Sequence, residues 1–484
     1  MTTILFSLAA FGLCLMAANR SLRQGILALL TVGYVYGILR ANFPDTYTYV
    51  TFDAAVIGVY LGQLWRPIDP EQRRHVHDLR LWLVVLIGWP TLLFFLFPTD
   101  TPLVELVGLR ANVFLLPFLF LGAKLTSEDL YWLAVRLAIL NVGAVALGVV
   151  EFFVGIEPFF PMNEVTDIIY RSRDLVGWTA HRIPSSFSSA HAFAGTMVIT
   201  LPLLIGAWAQ SGRSERLQRH LLGAAIAASL LGIFMAAART HMITATILVA
   251  IVTFSGHLRA GQWVRWVLAL GLVAYVVAGE ERLQRFTTLQ DTEFIAERWT
   301  GSVNEGFFEA IRTYPLGNGL AGGGTSVPYF LRAHRSPLTM ENEYARIGIE
   351  LGLPGLTLWL VFLMWAFVRW PGGARDGWAL GRLVGWVACG VFFLTGLTGI
   401  GLLSSVPQTT IMLLTMGWFV TAPEWRRVAR RHAPFVPRPR RTAVIDASPD
   451  VAPALDPARE SLSKGTRVGA ADGVPRPAPQ APLT

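Results

Sequence analysis

The sequence contains little charge and almost no cysteine. Charged residues make up 15% of its 484 positions and hydrophobic residues 53%, and the mean hydropathy is +0.49. A soluble protein of this length does not carry so much apolar surface with so little charge. The two cysteines, Cys14 and Cys389, both lie in apolar segments, which argues against a disulfide framework or a cysteine metal cluster. The composition therefore predicts a membrane protein.

Several short motifs that would assign a function are also missing. The chain contains neither His-Glu-x-x-His nor Gly-x-Ser-x-Gly, which argues against an intramembrane protease of either type. The glycine-rich stretch "LGNGLAGGGTS" is not followed by Gly-Lys-Ser/Thr, so it is not a phosphate-binding P-loop. We interpret this stretch as a flexible hinge or as a turn where two backbones approach closely.

The apolar residues come in blocks of about twenty, the length of helix that crosses a bilayer. The first block is followed, not preceded, by basic residues (Arg20 and Arg23), which predicts an uncleaved span rather than a signal peptide. We expect an all-α polytopic membrane domain over residues 1–423 with about thirteen spans. They are predicted near 2–18, 24–41, 46–65, 79–98, 103–124, 130–154, 190–210, 219–238, 240–257, 261–279, 347–369, 379–400 and 404–421.

The placement of arginine predicts the orientation of the chain. Short loops alternate between basic ones (19–23, 66–80 and 211–219) and ones without Lys or Arg (42–46, 99–102 and 401–405). Under the positive-inside rule the basic loops and the C-terminal tail are cytoplasmic, and the long loops 155–189 and 280–346 are outside. The basic run "EWRRVARRHAPFVPRPRR" then acts as a stop signal rather than a nucleic-acid site, and we expect the tail 424–484 to be disordered.

This orientation places several ionisable residues in the outer half of the membrane domain. A charge at that depth costs about 2.5–3.5 kcal/mol unless it faces a cavity or a partner. The group therefore predicts a polar cavity open to the outside. Its members are Arg40, Arg110, Glu151, Arg182, His191, Arg239 and His241.

An arginine-lined cavity of this kind suits a lipid diphosphate. The planar guanidinium binds two phosphate oxygens at once and stays charged at any working pH. We therefore predict diphosphate contacts from Arg110, Arg182, Arg239 and Arg298. Taken singly, each arginine could instead snorkel to the interface or anchor the end of a helix.

The long loop predicts an interfacial helix. In "IAERWTGSVNEGFFEAIRTYP" apolar residues repeat every four positions opposite a polar face, as in an amphipathic helix lying on a membrane. We expect Pro315 to end this helix, which would act as a lid.

Carboxylates accumulate in "MENEYARIGIELGLPGLTLWL", just before and inside the eleventh predicted span. If a helix begins at the start of this stretch, Asn342, Arg346 and Glu350 share one face, and Glu341 lies at the positive end of the helix dipole. Two interpretations remain open for Glu341 and Glu343. They are helix-start charges with an ion pair to Arg346, or one of them is a general base that deprotonates a sugar hydroxyl.

Four segments together resemble the O-antigen ligase and polymerase family of bacterial membrane glycosyltransferases. They are "HRIPSSFSSAHAFAG" with Arg182, "MAAARTHMITA" with Arg239, "ERWTGSVNEGFFEAIRTYPLGNGLAGGG" with Arg298, and "ENEYARIGIELGLPG" with Asn342 and Tyr344. The resemblance covers roughly residues 130–420. Its weight comes from the order, spacing and topology of the four segments.

The resemblance implies a helical enzyme of the GT-C type whose donor is a glycan on a polyprenyl diphosphate. The periplasmic arginines would bind the diphosphate leaving group, and neither a metal nor a cofactor would be needed. The first outer loop, "NFPDTY", agrees with this, because it lacks the paired aspartates of metal-dependent GT-C enzymes. Further implied partners are membrane lipids, a flippase and a chain-length regulator.

The resemblance also suggests catalytic residues. Many family members have His-Asn where this chain has Glu341-Asn342, so the pair is the first candidate for the base and its neighbour. His334 is a rival base, and Glu343, Tyr344 and His191 are secondary candidates.

Three functions follow as alternatives for a protein of the bacterial inner membrane. The first is polymerisation of lipid-linked repeat units into an exopolysaccharide, capsule or O-antigen. The second is a ligase that moves the finished glycan to a lipid core or protein. The third, from another class, is a lipid-linked oligosaccharide transporter, although the halves of the chain show no internal repeat of the kind that transporters usually have.

Overall fold

The computed structural model describes residues 2–64, 66, 70–98, 101–161, 182–212, 215–255, 271, 296, 307–323, 342–371, 377–399 and 401–421. The chain divides into two units, Met1–His432 and Ala433–Thr484, and every described residue lies in the first. The predicted tail 424–484 lies outside the described residues, as does the predicted span 261–279 apart from Gly271.

The described part of the chain is built from α-helices. In chain order they are α1 (Thr2–Arg20), α2 (Leu22–Asn42), α3 (Thr46–Tyr49), α4 (Thr51–Leu64), α5 (Pro70–Leu96), α6 (Pro102–Val113), α7 (Pro117–Ala123), α8 (Ser127–Val154), α9 (Ala190–Gln210), α10 (Arg216–Met235), α11 (Arg239–Phe254), α12 (Phe307–Thr313), α13 (Glu343–Phe367), α14 (Ala379–Thr395) and α15 (Gln408–Val420).

Eight helical segments among the described residues are long and apolar enough to cross a membrane, and α11, α14 and α15 are shorter apolar helices. Apart from the third, each predicted span within the described ranges overlaps one of these helices. The third, 46–65, overlaps the shorter helices α3 and α4, which are not among them. The protein is thus an all-α, multi-pass membrane protein. The segment Pro102–Ala123 counts as one span, although it divides into α6 and α7 just before Pro117, which has no N–H to continue the helix.

The helix α9 occupies the centre of the membrane domain. Its sequence is apolar on all sides, and 89% of its span is buried, as expected for a helix surrounded by other helices. It packs against α8, α10, α14 and α15. Its first turn, which begins at Ala190, is therefore held by a rigid scaffold.

A buried polar network joins α9 to three other helices. The Asn141 side chain on α8 donates hydrogen bonds to Thr200 Oγ1 on α9 and Ser229 Oγ on α10, both at 2.8 Å. It also accepts one from the Tyr34 hydroxyl on α2. All four residues are buried. Interhelical bonds of this kind hold helices together where lipid gives no hydrophobic driving force.

The helix α13 is broken, which the sequence analysis did not predict. Gly352 has φ 70° and ψ −177° inside it, and a Cβ at that position would lie 2.4 Å from the carbonyl carbon of Leu316. Three hydrogen bonds join the break to the residues around it: Leu353 N to Pro315 O at 2.9 Å, Asn318 N to Ile349 O at 2.6 Å and Trp89 Nε1 to Leu351 O at 2.8 Å. The broken backbone is therefore satisfied inside the protein.

The stretch at the start of "LGNGLAGGGTS" is a close-approach turn, one of its two predicted interpretations. Gly317 has φ 100°, and a Cβ there would lie 2.7 Å from the carbonyl oxygen of Glu350. The preceding helix α12 ends at Thr313, two residues before Pro315. Apart from Ala296, the earlier part of the predicted interfacial helix lies outside the described residues.

The crossing of α7 and α15 depends on two glycines. A Cβ on Gly417 would lie 1.9 Å from the carbonyl oxygen of Leu119, and one on Gly122 would lie 2.0 Å from that of Leu414. Backbone is thus packed directly on backbone, as in membrane helix pairs with small residues at the interface.

We predict that Gly417→Ala destabilises the protein by about 1–3 kcal/mol, because the new methyl group overpacks this crossing. Gly143→Ala is the matched control, since a Cβ at Gly143 has no heavy atom within 4 Å. The control should be neutral or up to about 1 kcal/mol stabilising, because alanine favours helix over glycine. Thermal unfolding in detergent measures both, and equal melting temperatures for the two variants would contradict the packing argument.

Candidate functional site

The segment that carries Arg182 is non-helical but firmly anchored. The backbone N–H of Ser185 donates to the buried carboxylate of Glu151 at 2.8 Å, and the Ser185 hydroxyl donates to the carbonyl of Ala144 at 2.7 Å. On the other side, Gly37 of α2 lets the segment pass, because a Cβ there would lie 1.9 Å from the carbonyl carbon of Phe187. The segment is therefore packed between α2 and α8.

Arg182 and His191 are hydrogen-bonded to each other. The Arg182 Nη1 lies 3.0 Å from His191 Nε2. His191 is in the first turn of α9, where the Ser189 hydroxyl caps the helix by accepting from Ala192 N at 3.1 Å. A sequence-predicted arginine and a secondary candidate thus meet at the start of the central helix.

The start of α11 comes to the same place. The ring of His241 is 5.8 Å from that of His191 and 5.6 Å from that of Phe392 near the end of α14. Arg239 is the first residue of α11, two positions before His241. The structure therefore brings together Arg182, His191 and the turn that bears Arg239. We call the four residues Arg182, His191, Arg239 and His241 the arginine–histidine cluster.

Room for this cluster comes from a glycine on α9. A Cβ on Gly195 would lie 1.9 Å from Gln408 Oε1 and 2.9 Å from His241 Nε2. Gln408 is the first residue of α15 and is buried. Gln408 is not among the site residues predicted from the sequence, where its only signal is a polar side chain at the start of an apolar run.

Both arginine-bearing segments contain a non-glycine residue in the left-handed region. Ser185 has φ 52° and Ala237, in the turn between α10 and α11, has φ 49°. Such conformations cost of order 1–3 kcal/mol each and collect at functional sites. Here they orient the backbone that leads to Arg182 and to Arg239.

A buried ion-pair network surrounds Arg346 on α13. Its guanidinium lies 2.8 Å from Glu343 Oε1 and 2.7 Å from Glu350 Oε2, and the three side chains are 4%, 1% and 0% exposed. Asn112 on α6 donates to Glu350 at 2.7 Å and accepts from Arg346 at 3.2 Å. Glu343 and Glu350 are thus tolerated in the membrane domain because both are paired with Arg346.

The start of α13 differs from the prediction. The helix begins at Glu343, not at residue 340, because Asn342 is its N-cap and accepts from Tyr344 N and Ala345 N at 2.9 and 3.1 Å. Asn side chains favour this position since they satisfy the first free N–H groups. Glu341 therefore precedes the cap rather than lying in the first turn.

Glu343 and Tyr344, two of the secondary candidates, are hydrogen-bonded to residues at the end of α14 and just after it. The backbone N–H of Glu343 donates to the carbonyl of Gly396 at 2.8 Å, and its side chain accepts from Gly401 N at 2.8 Å. The hydroxyl of Tyr344 donates to the carbonyl of Phe393 at 2.8 Å. Because His241 contacts the adjacent Phe392, the end of α14 links the network of Arg346 to the arginine–histidine cluster.

Arg110 has a carboxylate partner that the sequence analysis missed. Its guanidinium binds both oxygens of Asp53 on α4, with Nε at 2.8 Å from Oδ2. The side chains of Arg110 and Asp53 are 33% and 17% exposed. Asp53 was detectable only as a lone acidic residue in an apolar run. The diphosphate role of Arg110 stays a prediction, with Asp53 as a competing anion.

Three predicted site residues, Glu341, Arg298 and His334, lie outside the described residues. Within the described ranges, no group of three or more His, Cys, Asp or Glu side chains is placed to hold a metal ion. Metal independence itself stays a prediction.

No protein-family model matches the chain, and no curated protein matches it. The functional interpretation therefore depends on the residues and on their geometry.

We predict that Arg346→Met destabilises the protein by about 3–5 kcal/mol, because it leaves two buried carboxylates without their cation. Arg23→Met is the control, since Arg23 pairs with an exposed glutamate, Glu128, and exposed pairs contribute about 0–1 kcal/mol. Thermal unfolding in detergent measures both. Adding Glu343→Gln and Glu350→Gln to Arg346→Met should restore part of the loss, and no restoration would contradict an electrostatic cause.

Proposed function

We propose that the chain is a membrane glycosyltransferase that polymerises polyprenyl-diphosphate-linked oligosaccharide repeat units into a surface polysaccharide. The observation that carries the proposal is the contact of Arg182 with His191 beside the turn that bears Arg239. Two arginine segments that are distant in the sequence thereby meet at one end of the bundle. A site that is served by two arginines would fit a diphosphate better than a single phosphate or a neutral glycan.

In the proposed reaction the diphosphate is the leaving group. A hydroxyl of the acceptor glycan attacks the anomeric carbon of the donor, the bond from that carbon to the diphosphate oxygen breaks, and the hydroxyl proton passes to a base. Arg182 and Arg239 stabilise the negative charge that develops on the departing oxygen. Their charge is retained throughout, since an arginine does not lose its proton in a protein.

We propose Glu341 as the base, with Asn342 as its anchor. Asn342 is buried and fixed as the cap of α13. Glu341, the preceding residue, is therefore joined directly to a rigid part of the backbone. Glu343 is a weaker choice because Arg346 and Gly401 N already bind its carboxylate. His334 remains the alternative base.

The proposal includes the setting of the enzyme. The chain would have thirteen spans in the GT-C manner and lie in the bacterial cytoplasmic membrane. Its site would face the periplasm and its tail the cytoplasm, with a flippase and a chain-length regulator as partners. Neither a metal nor a cofactor would take part. The alternation of basic short loops with short loops that lack Lys and Arg supports this orientation.

We predict that Arg182→Ala and Arg239→Ala abolish glycan transfer by the purified protein in vesicles that contain a polyprenyl-diphosphate-linked oligosaccharide and no metal. Arg239→Lys should also be impaired, because a point charge cannot bind two oxygens as a fork. Arg219→Ala is the control, since Arg219 stacks on Trp208 near the start of α10, away from the turn that bears Arg239. Product length is read by electrophoresis.

The product pattern separates the alternatives. A ladder of lengths identifies a polymerase. Transfer of one intact glycan, and only when a second acceptor is supplied, identifies a ligase. Translocation of the donor without any transfer identifies a transporter. Normal product from Arg239→Ala would falsify the diphosphate role of that residue.

We further predict that Glu341→Gln lowers turnover by at least about 100-fold, the usual contribution of a general base, without weakening donor binding. Glu157→Gln is the control, because Glu157 is an exposed carboxylate outside the predicted site. Stopped-time assays give turnover, and thermal shift with the donor gives binding. Unchanged turnover would move the base to another residue, with His334 tested next.

A further inference from the structure

We propose that His191 is a positioning residue that holds the guanidinium of Arg182 ready for the diphosphate. This inference rests on the proposed function, since it assigns a role within the same site. It starts from the contact of 3.0 Å between Arg182 Nη1 and His191 Nε2. His191 itself makes no bond in the reaction.

The hydrogen bond determines the state of the imidazole. A guanidinium carries N–H donors only, so Nε2 of His191 accepts the bond. The ring is therefore neutral, with its proton on Nδ1. A neutral acceptor orients the arginine without reducing the positive charge that the diphosphate would meet, whereas a carboxylate in its place would compete with the phosphate oxygens. Arg110 illustrates that competing case, because Asp53 binds its guanidinium through both oxygens.

His191 is well placed for such a role because its own position is rigid. It lies in the capped first turn of α9, the most buried of the described spans. Arg182 lies three residues before the anchored Ser185, outside any helix. Its long side chain loses rotamer freedom when it binds a ligand, and a bond formed beforehand reduces that loss.

The test compares two substitutions of His191 in the vesicle assay. His191→Gln keeps a side-chain acceptor for the guanidinium, whereas His191→Leu removes it. We expect His191→Leu to raise KM for the donor about tenfold, the effect of one lost hydrogen bond, with a smaller change in kcat. His191→Gln should restore KM to within about threefold of the original. His220→Leu is the matched control, because His220 is exposed at the start of α10.

Donor binding measured by thermal shift gives the same comparison without turnover. Melting temperatures without ligand should be similar for the three histidine variants. If His191→Leu keeps the original KM while Arg182→Ala is inactive, the positioning role is wrong and the proposed function stands. If His191→Gln and His191→Leu are equally impaired, the ring acts through packing and the inference is overturned. If Arg182→Ala is itself fully active, the proposed function fails.

Discussion

The buried pairing of Arg346 with two glutamates is the interaction on which the rest of the site depends. Hydrocarbon gives these charges no water, so each must find its partner within the protein. The pairs Arg346–Glu343 and Arg346–Glu350 are local to one helix, but Asn112 brings in α6. The network therefore fixes the first part of α13 against a distant helix, and with it the cap at Asn342 and the end of α14.

This fixation matters because α13 does not continue straight through the membrane domain. Its first part, up to the break at Gly352, can keep its place only through lateral contacts. The loop after α12 supplies some of them, through Gly317 beside Glu350 and through Ala321, whose backbone N lies 2.3 Å from where a Cβ on Gly108 would be. Gly108 is one turn before Asn112 on α6. The loop, the first part of α13 and α6 thus form one packed unit, which includes the helix cap at Asn342.

The sequence predicted the helices well and the contacts between them poorly. Apolar blocks of span length predicted the membrane helices, and the spacing of four residues placed Arg346 and Glu350 on one helix face. The break at Gly352 could have been predicted from the Gly and Pro in "ELGLPG". The cap could have been predicted from the Asn that precedes the helix. Asn112 and Asp53 were not available, since their partners lie 234 and 57 positions away and spacing says nothing about which helices become neighbours.

The positions of the arginines follow from the same constraint on polar groups. Arg182 belongs to a non-helical segment, and buried non-helical backbone persists only where other groups satisfy its N–H and C=O groups. Glu151 accepts a hydrogen bond from the backbone N–H of Ser185, and the backbone N–H of Ile38 donates to the carbonyl of Ser186. Gly37 leaves room for the segment to approach α2. The hydrogen bond from Ser185 thereby accounts for Glu151, a buried acidic residue that is far from any arginine in the sequence. A segment secured in this way can present a long cationic side chain at the start of α9 while its backbone stays fixed. The position of the segment that carries Arg182 is thus determined by buried groups that would not contact a substrate.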